Sequence, residues 1–467
     1  MIRVVLHIIE ATRTLYHRHP EVRAKRASKG DGPIRSGPHP SRPAFGGHLR
    51  VTGRERARFD IKKSCAFRTI AAVALAWLLG LAAPSFAQNA PAQTDARQKL
   101  TIGYVEIEGD SRYEPIMAER LVLKAREHPF DGARIGLDDA KILARVLKID
   151  FDLERITVKS SAEVAPAVQQ AETRNIRFFL IDAPAEAFKP LASTMRGHDV
   201  LLFNVTAPDD TLRRDLCARE FVHVLPSQSM IADGLVQYLA SRKWTNFLVL
   251  QGPKPGDALA AKAFEASAQK FGARIVANKP FKPGTDPRER ELNNPALLSA
   301  ISRDYDVAFV ADEDFDFVRQ VPFHLVKPRP IVGAIDLEPL AWHWTWDHNG
   351  APQVNARFAK LAKRNMEGAD WAAWMAVKMV VQAALRTKSA DFKTQRDFIL
   401  SSAAAFDGDK GLAMSIRPWD HQLRQAILLA TPYYVTASAP VEGFLHQTNV
   451  LDTLGDDEPQ SPCHLNR

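Results

Sequence analysis

Between Leu100 and Gly333 the chain alternates short apolar runs with longer stretches of helical periodicity, an order that few folds accommodate. The first runs are 100–105, 153–158, 178–181 and 200–203, separated by helices predicted over 115–126, 162–174 and 185–195. Most are almost continuously apolar, as in Phe178-Phe179-Leu180-Ile181, the composition of parallel strands covered on both faces. After the run 221–225 a second set follows at 247–250, 275–276, 306–310 and 330–333. Ser227 or Ser229 is placed to cap a helix with the apolar stripe Ile231, Leu235, Tyr238 and Leu239. That helix ends on Arg242 and Lys243, cations suited to the negative end of its dipole. The helix over 258–271 stops at Gly272, a favourable C-terminal residue. Beyond 346 the pattern is mainly helical, at 353–365 and 370–385, the latter apolar around most of its circumference. Two sets in series exceed one core. The expected fold class is α/β, with two doubly wound Rossmann-like lobes: 88–226 with about 346–410, and 227–345 with about 411–440, followed by a polar tail over 441–467.

The apolar segment 69–83 is preceded by Lys62, Lys63 and Arg68 and followed by Ser85-Phe86-Ala87, the pattern of a secretory signal peptide over 61–87. It falls short of the roughly 20 residues that cross a bilayer. The mature chain is therefore expected from Gln88 onwards, in the periplasm. Residues 1–60 are rich in Arg, His, Pro and Gly without an apolar period, and read as a mis-assigned start or a disordered leader. The net charge of +8 is a property of that N-terminal part: residues 1–87 hold 16 Lys and Arg against 5 Asp and Glu. The rest holds 46 against 49, a net charge of −3. A nucleic-acid partner needs a basic face to neutralise phosphates, so that class is excluded. Cys217 and Cys463 remain after cleavage, either as a bridge tethering the tail or as two free thiols, and neither has metal-ligand spacing.

Open α/β sheets bind ligands beyond the carboxyl ends of their strands. In the first lobe that rule selects Glu106, Glu108, Asp110 and Arg112, then Asp182 and Ala183, then Asn204 and Thr206. In the second it selects Lys254 and Asp257, then Asp312, Glu313 and Asp314, then Asp336 and Glu338. So many carboxylates suit a cationic solute or a hard metal ion. The favoured expectation is plainer: they cap helix N-termini and solvate loops, since no calcium-loop spacing is present and no metal or cofactor is called for. His343 and His348 are expected to be packed or hydrogen-bonded. Trp342, Trp344 and Trp346 alternate as on an extended strand, which would align all three rings on one face. Arg417, Trp419, Asp420 and His421 resemble an acid–base cluster, but no nucleophile elbow, phosphate loop or zinc motif accompanies them, so a salt-linked turn is expected.

Several segments in order carry a family resemblance: Ile102-Gly103-Tyr104, the helix over 232–239 before Lys243-Trp244-Thr245-Asn246, the stretches 271–276 and 281–286, and the late helix over 369–385. Together they resemble the type 1 periplasmic solute-binding proteins of ABC transporters, in the branched-chain amino-acid-binding branch. The resemblance implies hinged lobes, a small-molecule solute in the cleft, an ABC permease in the inner membrane as partner, and no catalysis. By the same resemblance the loops at Asp182 and Asn204 lie where relatives hold an amino acid, but the small Ser/Ala/Thr pattern of that loop is lacking. Segments 341–347, 370–374 and 415–424 are similar to a subgroup associated with PQQ-dependent alcohol dehydrogenase systems. That likeness implies a functional link to such a dehydrogenase, as transport component or as sensing accessory.

Overall fold

The computed structural model describes residues 97–116, 119–120, 126–282, 284 and 286–466. The expected leader, the signal segment and most of the helix over 115–126 lie outside the described residues.

In lobe 1, β1 (Gln98–Ile107), β2 (Ile149–Val158), β3 (Phe178–Asp182), β4 (Leu201–Asn204) and β5 (Phe221–His223) form a parallel sheet in the order β2-β1-β3-β4-β5. Its centre is the apolar run the sequence shows: β3 and β4 are buried throughout. The edge strand β2 departs from that expectation. It starts at Ile149 and sets exposed Asp150, Asp152, Arg155 and Thr157 among inward residues, as suits a strand with a neighbour on one side only.

Helices α1 (Phe130–Leu147), α2 (Val164–Glu172) and α3 (Phe188–Met195) cover the two faces of this sheet. A short turn of helix, α4 (Thr211–Arg214), precedes β5. Helix α1 is not among the helices predicted from the sequence; its buried face combines Ile135 with the small residues Gly132, Ala133, Gly136 and Ala140. Those glycines set a close approach to a later helix: a Cβ on Gly132 would meet the Asp370 carbonyl at 2.1 Å, and one on Gly136 the Val377 side chain at 2.9 Å.

Lobe 2 begins with α5 (Gln228–Ser241), capped by the Ser227 hydroxyl, which accepts from the Met230 N–H. Strand β6 (Asn246–Gln251), helix α6 (Pro255–Lys270), strand β7 (Arg274–Pro280), the short helices α7 (Pro287–Leu292) and α8 (Pro295–Ser299), and strands β8 (Val307–Ala311) and β9 (Ile331–Gly333) follow. The four strands form a second parallel sheet, β7-β6-β8-β9, with apolar clusters on both faces. Both lobes are thus doubly wound.

A third sheet was not legible in the sequence. Strands β10 (Glu338–Leu340), β11 (Ile427–Thr431) and β12 (Tyr434–Ala439) pair antiparallel in the order β10-β11-β12. Alternate side chains of β11 serve different lobes: Leu428 and Ala430 join the core under the first sheet, and Leu429 joins that of the second. Each buried leucine contributes about 1.5–3 kcal/mol, so this sheet is a shared wall on which both lobes pack.

Between β10 and β11 lie α9 (Ala351–Ala362), α10 (Gly368–Thr387) and α11 (Phe392–Ile399), with α10 packed on α1 in lobe 1. The chain therefore passes between lobes after β5, after β9 and before β11. Trp342, Trp344 and Trp346 lie in a turn, not on a strand. Trp342 is buried and stacks on Trp371, Trp344 is exposed, and Trp346 donates to the Asp409 carbonyl, so their rings do not share a face.

Cys217 and Cys463 are joined in a disulfide. The segment beyond 441 is no loose tail. Asp452 accepts from the buried Arg417 and from Arg424, and Asp456 accepts from Arg214. Arg417, Trp419, Asp420 and His421 form a structural turn, with His421 Nδ1 on the Phe221 carbonyl and Gln422 bonded to His223 and Leu225. His343 is bonded to the Thr345 hydroxyl, and His348 pairs with Asp347 at the surface. Among the described residues no helix is long and apolar enough to cross a membrane.

Candidate functional site

A cavity of about 700 Å³ opens between the carboxyl ends of the two parallel sheets. Lobe 1 supplies Arg112, Arg126, residues 184–186 and the loop 206–209. Lobe 2 supplies Gln228, Ile231, Ala232 and Leu235 from α5, residues 254–257 and 259–260 around α6, and residues 309–313 with Phe315. A second, polar hollow of about 440 Å³ shares Arg112, Arg126, Lys254 and Glu313 with it and adds Glu114, Arg120, Asp314 and Asp316.

The lobe 1 wall rests on a buried charge network. Asp182, at the end of β3, accepts from the Tyr104 hydroxyl (2.9 Å) and faces His128 Nδ1 (2.6 Å) through one oxygen. Through the other it accepts from the Tyr113 hydroxyl (2.7 Å) and Arg112 Nη2 (3.1 Å). Burial alone would push its pKa up, but the bond to His128 and the Arg112 charge outweigh it and hold the carboxyl below its usual range. Arg112 also donates to Asp110 and to the Thr206 hydroxyl (3.2 Å), so it reaches the cavity already held in place. Glu106 lies behind this, paired through both oxygens with Arg155 at 2.7 and 3.0 Å.

The lobe 2 wall is made of helix and loop caps. Asp257 closes the capping box of α6, accepting from the Lys254 N–H (3.0 Å), and also accepts from the Glu313 N–H (2.8 Å). Asp312 accepts from the Val318 N–H (2.8 Å). Burial, opposed by these bonds, pushes both carboxyls up. Lys254 Nζ pairs with Asp314.

Of the fifteen candidate ligand residues, the structure brings Arg112, Thr206, Lys254, Asp257, Asp312 and Glu313 to one cavity. Nine others do not line it, Asp314 among them in the neighbouring polar hollow. Glu106 and Asp182 are turned into the lobe 1 network, and Ala183 is wholly buried beneath the loop. Asn204 is spent on its own loop, its oxygen accepting from the Thr206 and Ala207 N–H groups. Asp336 is exposed in the turn between β9 and β10. The strand-end rule also missed Arg126, Gln228 and the apolar floor, because those positions come from loops and helix starts remote in sequence.

Among the described residues one group has metal-ligand proximity: Glu106, His128 and Asp182. Its donor set does not fit a bound ion. Each oxygen of Asp182 already has two partners and Glu106 is clamped by Arg155, so a cation there would have to displace arginines.

No protein-family model matches the sequence, and no curated protein matches it. Solved structures do. A branched-chain amino acid ABC transporter periplasmic ligand-binding protein from Burkholderia xenovorans LB400 superposes with a TM-score of 0.62 at 12% identity, over 79% of this chain and 100% of that one. The leucine-, isoleucine-, valine-, threonine- and alanine-binding protein of Brucella ovis, in a closed conformation, gives 0.58 at 12% identity over 77% and 97%. An ABC transporter solute-binding protein from R. palustris, in complex with benzoate, gives 0.55 at 11% identity over 78% and 99%. Identities this low establish the fold: this chain has the two-lobed, type 1 periplasmic binding-protein architecture.

Proposed function

We propose that this chain is the solute-binding component of an ABC importer, working in the periplasm without catalysing a reaction. The observation that carries the reading is the cavity itself, whose walls come from both lobes and whose place is the crevice beyond two facing parallel sheets. The neighbours' description as solute-binding proteins of ABC transporters supports it.

In this reading the lobes are two rigid bodies on the shared wall of β10, β11 and β12. A solute touching Arg112 and Thr206 on one side and residues 254–257 on the other bridges them, and so favours the closed arrangement. A permease in the inner membrane then distinguishes the closed form from the open one. The polar groups lining the crevice bind and orient, and their own bonds within each lobe fix them before the solute arrives.

A finer reading places this importer beside PQQ-dependent alcohol oxidation. Its support is the sequence likeness of segments 341–347, 370–374 and 415–424, which build the crossover and the turn beneath it.

The test is to denature purified protein, identify the small molecule released, and return it to stripped protein. Stoichiometric rebinding that shifts the emission of the exposed Trp344 at the crossover, together with capture of a permease, is the expected result. Turnover of that molecule, or absence of any rebinding, would overturn the proposal.

A further inference from the structure

The crevice has already spent the groups with which such a fold holds an anion. Helix N-termini and loop N–H groups are the natural anion sites of an open α/β crevice. Here α6, a sixteen-residue helix, meets two of the protein's own carboxylates. Asp257 is bonded to the N–H groups of Lys254 and Glu313. The Glu313 carboxylate lies so close over Gly256 that a Cβ there would meet Oε2 at 2.5 Å. The start of α5 is filled the same way: Asp210 accepts from the Ser229 N–H (3.1 Å) and hydroxyl (2.7 Å), beside the Ser227 cap. In lobe 1 the N–H groups of Thr206 and Ala207 point to the Asn204 side chain.

The side-chain cations are spent as well. Arg112 is held by Asp110 and Asp182, Arg126 by Glu119, and Lys254 by Asp314. Against these three cations the cavity wall carries five further carboxylates, those of Glu186, Asp209, Asp257, Asp312 and Glu313. None of the five is in an ion pair with Arg112, Arg126 or Lys254. The floor between them is apolar, with Ile231, Leu235, Leu259, Phe309 and Phe315. A solute headed by a carboxylate would meet donors that are occupied and a surplus of like charge. An ammonium group would meet acceptors.

We infer that the solute is an organic ammonium ion with an apolar body, its charge facing Glu313 and its carbon frame on the floor formed by α5 and Phe309. This deepens the solute-binding reading and rests on it. An amine bound this way adds charge-assisted hydrogen bonds to a carboxylate and buries its alkyl or aryl part, while an acid of the same shape gains only the second term.

Matched probes on the stripped, disulfide-intact protein decide it: benzylamine against benzoate, and isoamylamine against isocaproate, followed by thermal shift and calorimetric titration. The amines are expected to raise the melting temperature and the acids to leave it unchanged. Glu313→Gln, at an exposed position, is expected to weaken amine binding about tenfold without changing the melting temperature of the empty protein. Added salt should weaken the amines further. Binding of the acids in place of the amines, binding of neither, or equal amine affinity in Glu313→Gln would overturn the inference. Acid binding that protects both lobes from hydrogen exchange would overturn only the charge class and leave the importer reading standing. Loss of both would show as a molecule recovered from the protein that never rebinds.

Discussion

In lobe 1 the carboxylates that end β1 and β3 are shut inside the lobe, Asp182 under two tyrosines, a histidine and an arginine, and Glu106 against Arg155. In lobe 2 the carboxylates that follow β6 and β8, Asp257 and Asp312, accept backbone N–H groups and remain on the cleft wall. The sheets are built alike, and the strand-end rule selects both pairs equally. What separates them is supply. The loop and the start of α1 bring Arg112, Tyr113 and His128 over the first sheet, and α6 brings only its own N-terminus to the second. A strand-end carboxylate thus becomes framework where neighbouring elements deliver donors from their side chains, and a binding surface where they deliver only the backbone.

Removal of a central acceptor should break lobe 1 far more than lobe 2. Asp182→Ala leaves the Tyr104 and Tyr113 hydroxyls without their acceptor and removes one of the two carboxylates that hold Arg112, and should cost about 3–5 kcal/mol in chemical denaturation. A loss under about 1 kcal/mol would show that the network adds nothing.

The bridge between Cys217 and Cys463 comes next. It fastens a C-terminal segment that holds Arg214 of lobe 1 through Asp456 and Lys270 of lobe 2 through the Thr453 and Gly455 carbonyls. The double variant Cys217→Ser/Cys463→Ser should lose about 2–4 kcal/mol. An unchanged melting temperature in reductant would show that the segment holds both lobes without it.

Acid should weaken the lobe 1 side of the crossover. Burial lowers the pKa of His421 to about 4, and burial with the Arg213 charge lowers that of His223 well below its ordinary value. His421 is therefore mostly neutral in the folded protein at pH 5, while the unfolded chain, near 6.5, binds a proton there, and His223 shifts in the same direction. Stability is full above 6.5 and is lost as pH falls towards 4. His421 alone accounts for about 2 kcal/mol between pH 7 and pH 5. His421→Gln should flatten that slope in pH-dependent denaturation, and an unaltered slope would place its origin elsewhere.

The smallest effect belongs to lobe 2. Asp257→Ala removes a cap and should cost about 1 kcal/mol by the same denaturation assay. A loss as large as that of Asp182→Ala would erase the contrast between the lobes.

Much of the frame is readable from residues, because β3, β4, β6 and β8 are apolar runs and α5 has a polar cap and an apolar stripe. The features that escape reading have physical causes. Helix α1 carries an apolar stripe of Phe130, Ile135, Leu143 and Leu147 that is open to reading, but the contact glycines Gly132 and Gly136, whose bareness lets α10 lie against it, give no such signal. Strand β11 is a short apolar run whose alternate residues enter two different cores, so periodicity cannot distinguish it from a buried helix. At the site, strand-end position gives Thr206, Lys254, Asp257, Asp312 and Glu313 but cannot show that Asn204 and Asp182 face inward. Their direction is set by partners such as Ala207 and Arg112, which only the folded chain brings near.

Closure of one crevice between two lobes is tested most directly by hydrogen exchange with the co-purified solute. Binding should protect the amides of 206–209 in lobe 1 and of 254–257 and 312–315 in lobe 2 together, at one solute per chain. Protection confined to one lobe, or appearing only at surfaces remote from the cavity, would contradict it.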